Sequence, residues 1–413
     1  MTAARTPAPR WAAAVPVVLA MLAMIGPFSI DTPFPAFPAM ERDLGVGSDA
    51  MQLVVTTYLA AFAVMSLVHG PVSDAVGRRP VLLWSVAVYV VASIGCTLAP
   101  SLPVLLAFRV VQGLSAGGAT IVSRTVVRDL YEGDDAQRLM STVSVIFGLA
   151  PAIAPVIGGA LLQLGPWPLV FAFQAGLGLL LIARVLAFLP ESHPPEARVP
   201  FRVGSILRSI ALVARRADVH RLAWAGTLNF GALFLYIGGA AIFVHDLLGL
   251  GELDYWKFFV PMIGCMMVGS WLSGRLAGRV SVVAVVGFGY AVALGAGVIG
   301  VVVGLTPWET TLPWAVLAPS LMGFGNGLAY PVLQLMLLDL APTRRGAVAS
   351  FGAASALLFN AVAAVALTPY VAVSTLGLAL TALVLLVLGQ MSWLWHLRAH
   401  RAAGRRVSTP RAG

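Results

Sequence analysis

Charge is scarce in this 413-residue chain: Asp, Glu, Lys and Arg together make up 10%, against roughly a quarter in soluble domains. Cysteine is scarcer still. Cys96 and Cys265 both sit inside apolar runs, in different halves of the chain, so no disulfide framework and no thiolate metal site is expected. The histidines (His69, His193, His220, His245, His396 and His400) are scattered, and no metal cluster is expected from them. Nor does any span hold a His paired with an acid, or a Ser with a base, at one depth. That argues against a membrane-embedded enzyme, and no catalytic residue or cofactor is expected. What the chain has instead is apolar: 59% hydrophobic residues and a mean hydropathy of +0.91. No single water-soluble core could hide this surface, so the solvent must be a bilayer.

Apolar runs long enough to cross a core about 30 Å thick fall near 12–38, 50–70, 80–99, 104–126, 139–163 and 168–189. A second set falls near 222–247, 255–274, 282–303, 312–337, 347–369 and 374–397. The first residues, MTAARTPAPRW, resemble the positive region of a signal peptide, but the further runs make an uncleaved first span the better reading. The expected fold is an all-α membrane protein of twelve transmembrane helices in two six-helix bundles. The expected domains are an N-terminal bundle (1–189), a cytoplasmic linker (190–221), a C-terminal bundle (222–397) and a basic tail (398–413). Twofold halves of this size are a transporter pattern.

The chain carries a net charge of +9, which by itself would suit a nucleic-acid partner. Placement argues otherwise. With the N-terminus inside, all 26 basic residues except Arg42, Lys257 and Arg109 fall on cytoplasmic segments or helix ends. Such a bias puts both termini in the cytoplasm, and it forms no single aromatic-laced basic face. The expected location is a membrane crossed many times.

Several motifs stand out. The loop GPVSDAVGRRP at 70–80 has Gly70, Gly77 and Pro80 for a tight turn, and Asp74 at a helix end beside Arg78 and Arg79. The second half carries an echo, GRLAGR at 274–279. There Gly278 and Arg279 align with Gly77 and Arg78, but Arg275 falls where Asp74 stands, so the acid is lost. The stretch RVVQG at 109–113 sets Arg109 deep in the fourth span, followed by Gln112 and Gly113. FGLAPAIAPVIGGALL at 147–162 places Pro151 and Pro155 mid-helix, where each removes a backbone bond, among Gly148, Gly158 and Gly159, which permit close packing. SIDTPFPAFPAM at 29–40 closes an uncharged run with Asp31, then Pro33, Pro35 and Pro38. At 1.5 Å per residue, Asp31 and Arg109 lie about 10 and 9 Å below the same outer surface. An ion pair or a shared polar cavity is the least costly way to tolerate both. The alternatives are an arginine that snorkels outward and a purely structural Asp–Arg pair.

These motifs resemble those of the major facilitator superfamily. The loop resembles its G-x-x-x-D-x-x-G-R-R signature, 109–113 the R-x-x-Q-G of proton-coupled members, and 148–159 the G-x-x-x-x-x-x-P-x-x-G-G of drug:proton antiporters. Together with DTPFPAFPAM and RTVVRDLYEGDDAQR at 124–138, they resemble the Bcr/CflA-type drug-resistance subfamily, which neighbours MdfA-like multidrug antiporters. The second half matches more weakly, through YIGGAAIFV at 236–244 and RRGAVASFGAASALL at 344–358. Relatives usually have Tyr-Leu where Pro33-Phe34 stands here.

The resemblance implies a bacterial inner-membrane location, two bundles that rock about a central cavity, and export of chloramphenicol-, florfenicol- or bicyclomycin-like compounds in exchange for protons. Asp31 is then expected to carry the proton: burial favours its neutral form and Arg109 its ionised form. One membrane-depth carboxylate implies about one proton per cycle, worth roughly 2.3 kcal/mol per 100 mV. That suits neutral or monocationic lipophilic substrates. Candidate substrate contacts are Phe28, Asp31, Tyr58, Gln112, Asn229, Tyr236, Asn326 and Asn360, each of which could equally be ordinary packing or a helix–helix hydrogen bond. Asp74 is expected to latch the cytoplasmic gate shut against the start of the eleventh span, near Gly346 and Ala347, with Arg128 and Asp129 as relay partners. The expected partners are protons, the substrate and the lipid bilayer, with no nucleic acid and the chain working as a monomer. Efflux of a sugar or endogenous metabolite, and a non-transporting sensor on the same fold, are the other readings.

Overall fold

A computed structural model describes residues 10–131, 133–198, 203–277, 279–340 and 345–407. Every regular element among them is helical. The twelve longest are labelled α1 Arg10–Asp31, α2 Ser48–Ser66, α3 Arg78–Thr97, α4 Leu102–Leu130, α5 Gly133–Leu162, α6 Pro168–Phe188, α7 Ala217–Gly238, α8 Trp256–Leu276, α9 Val282–Gly304, α10 Trp314–Asp339, α11 Arg345–Val362 and α12 Thr375–Val407. Among the described residues, ten helical stretches are long and apolar enough to cross a membrane. Of the two helices outside that set, α5 contributes the shorter apolar stretch Leu149–Leu162. The other is α7, where every residue from Gly231 to Gly238 is buried. It also carries Asp218, His220, Arg221 and Asn229, which lower its hydropathy.

The chain divides into two compact units, residues 1–202 with 251–256, and 203–250 with 257–413. The segment 251–256 joins unit 1 although it lies between α7 and α8 in the sequence. Within unit 1, α1 packs on α4, α5 and α6, α2 packs on α4, and α3 packs on α4 and α6. Within unit 2, α7 packs on α10, α11 and α12, and α9 packs on α10 and α12. The first helix of each half thus meets the fourth, fifth and sixth of its own half, and the third meets the fourth and sixth. This shared contact pattern is a structural repeat.

Close seams depend on glycine. A Cβ on Gly113 of α4 would stand 2.3 Å from the Tyr58 carbonyl on α2. In unit 2, a Cβ on Gly327 of α10 would meet the Met266 carbonyl of α8 at 2.1 Å. Glycine lets these backbones touch, which is how helices associate where lipid supplies no hydrophobic drive.

The linker expected at 190–221 begins in contact with unit 1. Residues 190–198 fold back on unit 1, and the Glu191 carboxylate accepts hydrogen bonds from the backbone N–H groups of Arg78 (2.9 Å) and Arg79 (3.3 Å). An acid that satisfies the orphan donors at the start of α3 is a favourable N-terminal contact. An amphipathic linker helix, Val203–Ala214, follows in unit 2 and packs on α11.

Candidate functional site

The site in unit 1 begins with a proline. Proline has no N–H, so Pro33 removes the donor that would serve the carbonyl of residue 29 four places earlier. α1 accordingly stops at Asp31 and gives way to a short 3₁₀ turn, Phe34–Ala36, and a helix, Phe37–Leu44, that ends at Gly45 in the left-handed region (φ 65°). The orphaned Ser29 carbonyl accepts instead from Nη1 of Arg109, at 3.0 Å. The same guanidinium donates through Nε to the Val54 carbonyl of α2 (2.9 Å) and through Nη1 to Oε1 of Gln112 (2.6 Å). Its Cζ stands 4.4 Å from the centre of the Tyr58 ring. Arg109 is fully buried, so it does not snorkel. A cation placed on the free carbonyls of a helix C-terminus complements the helix dipole.

The network extends from there. Nε2 of Gln112 donates to Oγ of Ser93 and to Oε1 of Gln174, both at 2.8 Å. Gln174 returns a long bond to the Phe28 carbonyl (3.4 Å), and Ser29 Oγ shares a bond with the Tyr89 hydroxyl (2.7 Å). Side chains from α1, α3, α4 and α6, with a carbonyl of α2, therefore converge on the last turn of α1.

Asp31 sits at the end of that turn, 3% exposed. The expected ion pair with Arg109 is not formed. The arginine directs Nε and Nη1 to backbone carbonyls and Gln112 while Nη2 is buried without a partner, and among the described residues no hydrogen bond or ion pair engages the Asp31 carboxylate. The physical reason is Pro33, which frees a carbonyl that takes the guanidinium in place of the carboxylate two residues on. Phe28 packs in an apolar cluster with Ala150 and Ala154 of α5. Tyr58 is fully buried, its hydroxyl 3.4 Å from the Gly26 carbonyl.

The prolines also leave carbonyls without their helical donors. The Phe34 carbonyl, four places before Pro38, accepts from the Tyr255 hydroxyl at 3.3 Å. A Cβ on Gly158 would stand 2.1 Å from the Thr32 carbonyl, and one on Gly159 would stand 2.2 Å from the Glu252 carbonyl. The paired glycines of α5 thus seat two different backbones, the broken end of α1 and the 251–256 segment. Pro151 and Pro155 lie inside α5. Gly148 and Arg128 fall where side chains lie outside the described residues.

At the far end of unit 1, Gly77 takes φ 112° at the N-cap of α3, a backbone conformation that disfavours any Cβ. A Cβ there would also strike Oε2 of Glu191 at 2.6 Å. Arg78 is held by two acids, Asp74 through Nη1 and Asp129 through Nε (2.9 Å). Its Nη1 also donates to Ser73 Oγ, which in turn donates to the Gly70 carbonyl, both at 2.7 Å. Arg79 donates to the Leu186 carbonyl at the end of α6 (2.9 Å). Asp74 and Asp129 are thereby brought together through Arg78. Residue 278 lies outside the described residues, and the echo's Arg275 stacks on Trp271 (4.3 Å).

In unit 2 the structure joins Asn229 of α7 to Asn326 of α10, Nδ2 of the second donating to Oδ1 of the first at 2.7 Å. Nδ2 of Asn229 and Oδ1 of Asn360 are buried without a partner. Tyr236 is buried with its ring edge-on to Phe243. Sequence reasoning missed Ser29, Tyr89, Ser93, Gln174 and Glu191. Gln174 had a signal, as an amide alone in the apolar run FAFQAGLG.

Paired helical units with a shared contact pattern, and a buried cation and acid at one level of the first, define a polytopic membrane transporter rather than an enzyme. The model of the Major Facilitator Superfamily matches residues 19–367, and the chain belongs to that family. Within it, relatives named for drug resistance match. A bicyclomycin resistance protein homolog of Haemophilus influenzae is 31% identical over 64% of this chain and 66% of its own length. Multidrug resistance protein D of Escherichia coli is 27% identical over 92% of this chain and 94% of its own. A chloramphenicol resistance protein of Pseudomonas aeruginosa is 29% identical over 65% and 62%. The chain thus spans just under two-thirds of the first and third of these relatives. Among solved structures, a bacterial homolog of the lysosomal transporter Spinster has TM-score 0.73 at 15% identity, covering 96% of this chain and 98% of that one. A D-xylose-proton symporter has TM-score 0.71 at 14% identity, covering 93% and 97%. These two share the fold.

Proposed function

We propose that the protein is a proton-coupled antiporter that exports small lipophilic compounds, neutral or monocationic, from a bacterial cell by alternating access. The observation that carries this reading is Asp31. It is a buried carboxyl with no fixed partner, set at the proline break of α1. It can give up or take a proton without breaking a native ion pair, and its helix end is held from beside it by Arg109. The drug-resistance names of the relatives support efflux of drug-like molecules.

In the proposed cycle Asp31 takes a proton from outside as substrate leaves. From the inside, substrate binding and deprotonation compete. A ligand drives the switch through its different affinities for the two states. Arg109 positions the end of α1 rather than neutralising the acid. Phe28, Tyr58 and Gln112, and separately Asn229, Tyr236, Asn326 and Asn360, are the proposed substrate contacts. Asp74 gates the cytoplasmic side with Gly70, Gly77, Arg78, Arg79 and Asp129, and both termini are cytoplasmic. In the antiporter stretch Gly148, Pro151, Pro155, Gly158 and Gly159, Gly158 seats the backbone that carries Asp31. The protein works as a monomer.

The test is a drug-susceptibility panel in a pump-deficient host expressing the protein or its Asp31→Asn variant at matched levels. Protection by the parent and none by the variant is the expected outcome. Equal protection by both would remove the carrier role.

A further inference from the structure

We propose that a groove on unit 2 binds one anionic phospholipid, its phosphate diester held by Arg215, Arg221 and Arg398 and its acyl chains lying along α7 and α12. The site is separate from the proposed export chemistry. It rests on the reading of the chain as membrane-spanning with this end cytoplasmic, so the lipid comes from the inner leaflet.

The groove, of about 970 Å³, lies where the first turns of α7 meet the later turns of α12, and residues 214–215 at the close of the linker helix help to wall it. Its chemistry is graded. Leu228 and Leu388 line one part, and Trp224 and Trp395 stand among the basic residues. Both tryptophans are exposed, at 39% and 63%, on helices that offer apolar side chains around them. An indole half in apolar surroundings beside a cation is the arrangement found at the headgroup level of a bilayer.

The cations remain available. Among the described residues no acid lines the groove, and the nearest in sequence, Asp218, is engaged by Arg216, with Nη2 to Oδ2 at 2.6 Å. Arg221 is held in place rather than neutralised. Its guanidinium lies 5.3 Å from the Trp395 ring centre, and its carbonyl accepts from Ser392 Oγ of α12 at 2.9 Å. Its Nε is buried without a hydrogen-bond partner. A planar guanidinium pre-oriented on an indole and flanked by two further arginines matches a phosphate diester. Basic pockets between spans on the cytoplasmic side are suited to anionic headgroups. A free phosphate would use the arginines but leave the apolar part of the groove unfilled.

The test is native mass spectrometry of the purified full chain with phosphatidylglycerol, phosphatidylcholine or inorganic phosphate added. One phosphatidylglycerol should be retained, and Arg221→Gln/Arg398→Gln should weaken it about thirtyfold while phosphatidylcholine binding stays the same. Excess phosphate should not displace the lipid. Equal retention of the two lipids, an unchanged double variant, or displacement by phosphate would each overturn the proposal. A second measurement needs no loss of charge. Phosphatidylglycerol brominated on its acyl chains should quench the fluorescence that Trp395→Phe removes, more than brominated phosphatidylcholine does. Equal quenching would overturn the site even if the double variant did not fold.

Discussion

Unit 1 and unit 2 fill equivalent seams with different chemistry. Where α1 meets α4, a buried guanidinium reaches across to the Ser29 carbonyl. Where α7 meets α10, one asparagine amide reaches another. The first arrangement holds a full charge in place at a helix end interrupted by proline, and the second holds neutral groups along an unbroken stretch. A buried charge is costly to leave unpaired, whereas a buried amide costs far less. The difference teaches where each unit can bear change: the first half has a rigid polar apparatus around one free carboxyl, and the second a set of amides that can be altered with little loss of fold.

The sharpest break of this comparison is at Arg109. Arg109→Gln leaves the Ser29 and Val54 carbonyls without their partner, and a loss of about 1–3 kcal/mol for each orphaned acceptor is expected. It should appear as a collapse of folded yield in detergent, read by size-exclusion fluorescence. Arg109→Lys keeps the charge but cannot bridge α1, α2 and Gln112 at once, so it should fold in lower yield and lose protection. Asp31→Asn should do the reverse, with full yield and no protection. If Asp31→Asn also failed to fold, the carboxyl would be structural and the comparison would need redrawing.

Much of this was legible in the residues. A lone acid and a lone base at one depth announce themselves in an apolar run, although the first span was read on through Pro33 and Pro35 to residue 38, whereas α1 stops at Asp31. Of the two arrangements that shared depth allowed, an ion pair or a shared polar cavity, the ion pair is not formed, because depth along two helices says nothing of rotation and a carbonyl freed by Pro33 competes for the same guanidinium. Gln174 and Ser93 were hidden for a related reason: neutral polar side chains are common in spans, and only the rotation of α3 and α6 shows that they face Gln112. Glu191 read as linker, since nothing local marks a carboxylate as the cap of a helix over a hundred residues earlier.

Glycine seams give the next test. Gly158→Ala sets a methyl against the Thr32 carbonyl beside Asp31, and such overpacking costs about 1–3 kcal/mol. Gly327→Ala does the same in unit 2 against Met266. Both should lower the melting temperature, but Gly158→Ala alone should also cut protection, because it displaces the backbone that carries the acid. A methyl on Gly176 of α6 would meet nothing within 4 Å, and Gly176→Ala should be neutral or stabilising by up to about 1 kcal/mol. A loss of protection from Gly327→Ala equal to that from Gly158→Ala would erase the asymmetry between the units.

Asn326→Ala should cost less, about 1–2 kcal/mol, since it removes one amide bond and leaves Asn229 unpaired in an already half-satisfied site. Its effect should fall on which drugs are exported, with the pH dependence of protection unchanged. A uniform loss across the panel would instead assign the amides to the switching machinery.

The smallest effect is expected at the echo loop, and it tests the comparison at the two arginine-bearing loops. In unit 1, Arg78 is buried between Asp74 and Asp129. In unit 2, Arg275 itself stands in the place of Asp74 and lies on the ring of the exposed Trp271. An exposed cation–π contact is worth about 0.5–1 kcal/mol, so Arg275→Ala should leave yield and protection nearly unchanged. Asp74→Asn removes one of two acids from a buried guanidinium and should shift the balance of inward- and outward-open states, read by cysteine accessibility on each side. The loss of the acid from the second copy is consistent with this division: one charged gate element suffices when the other loop needs only to set topology, and a topology signal requires an arginine but no partner for it. Equal shifts from Arg275→Ala and Asp74→Asn would show that both loops gate, and that the missing acid is not the distinction it is taken to be.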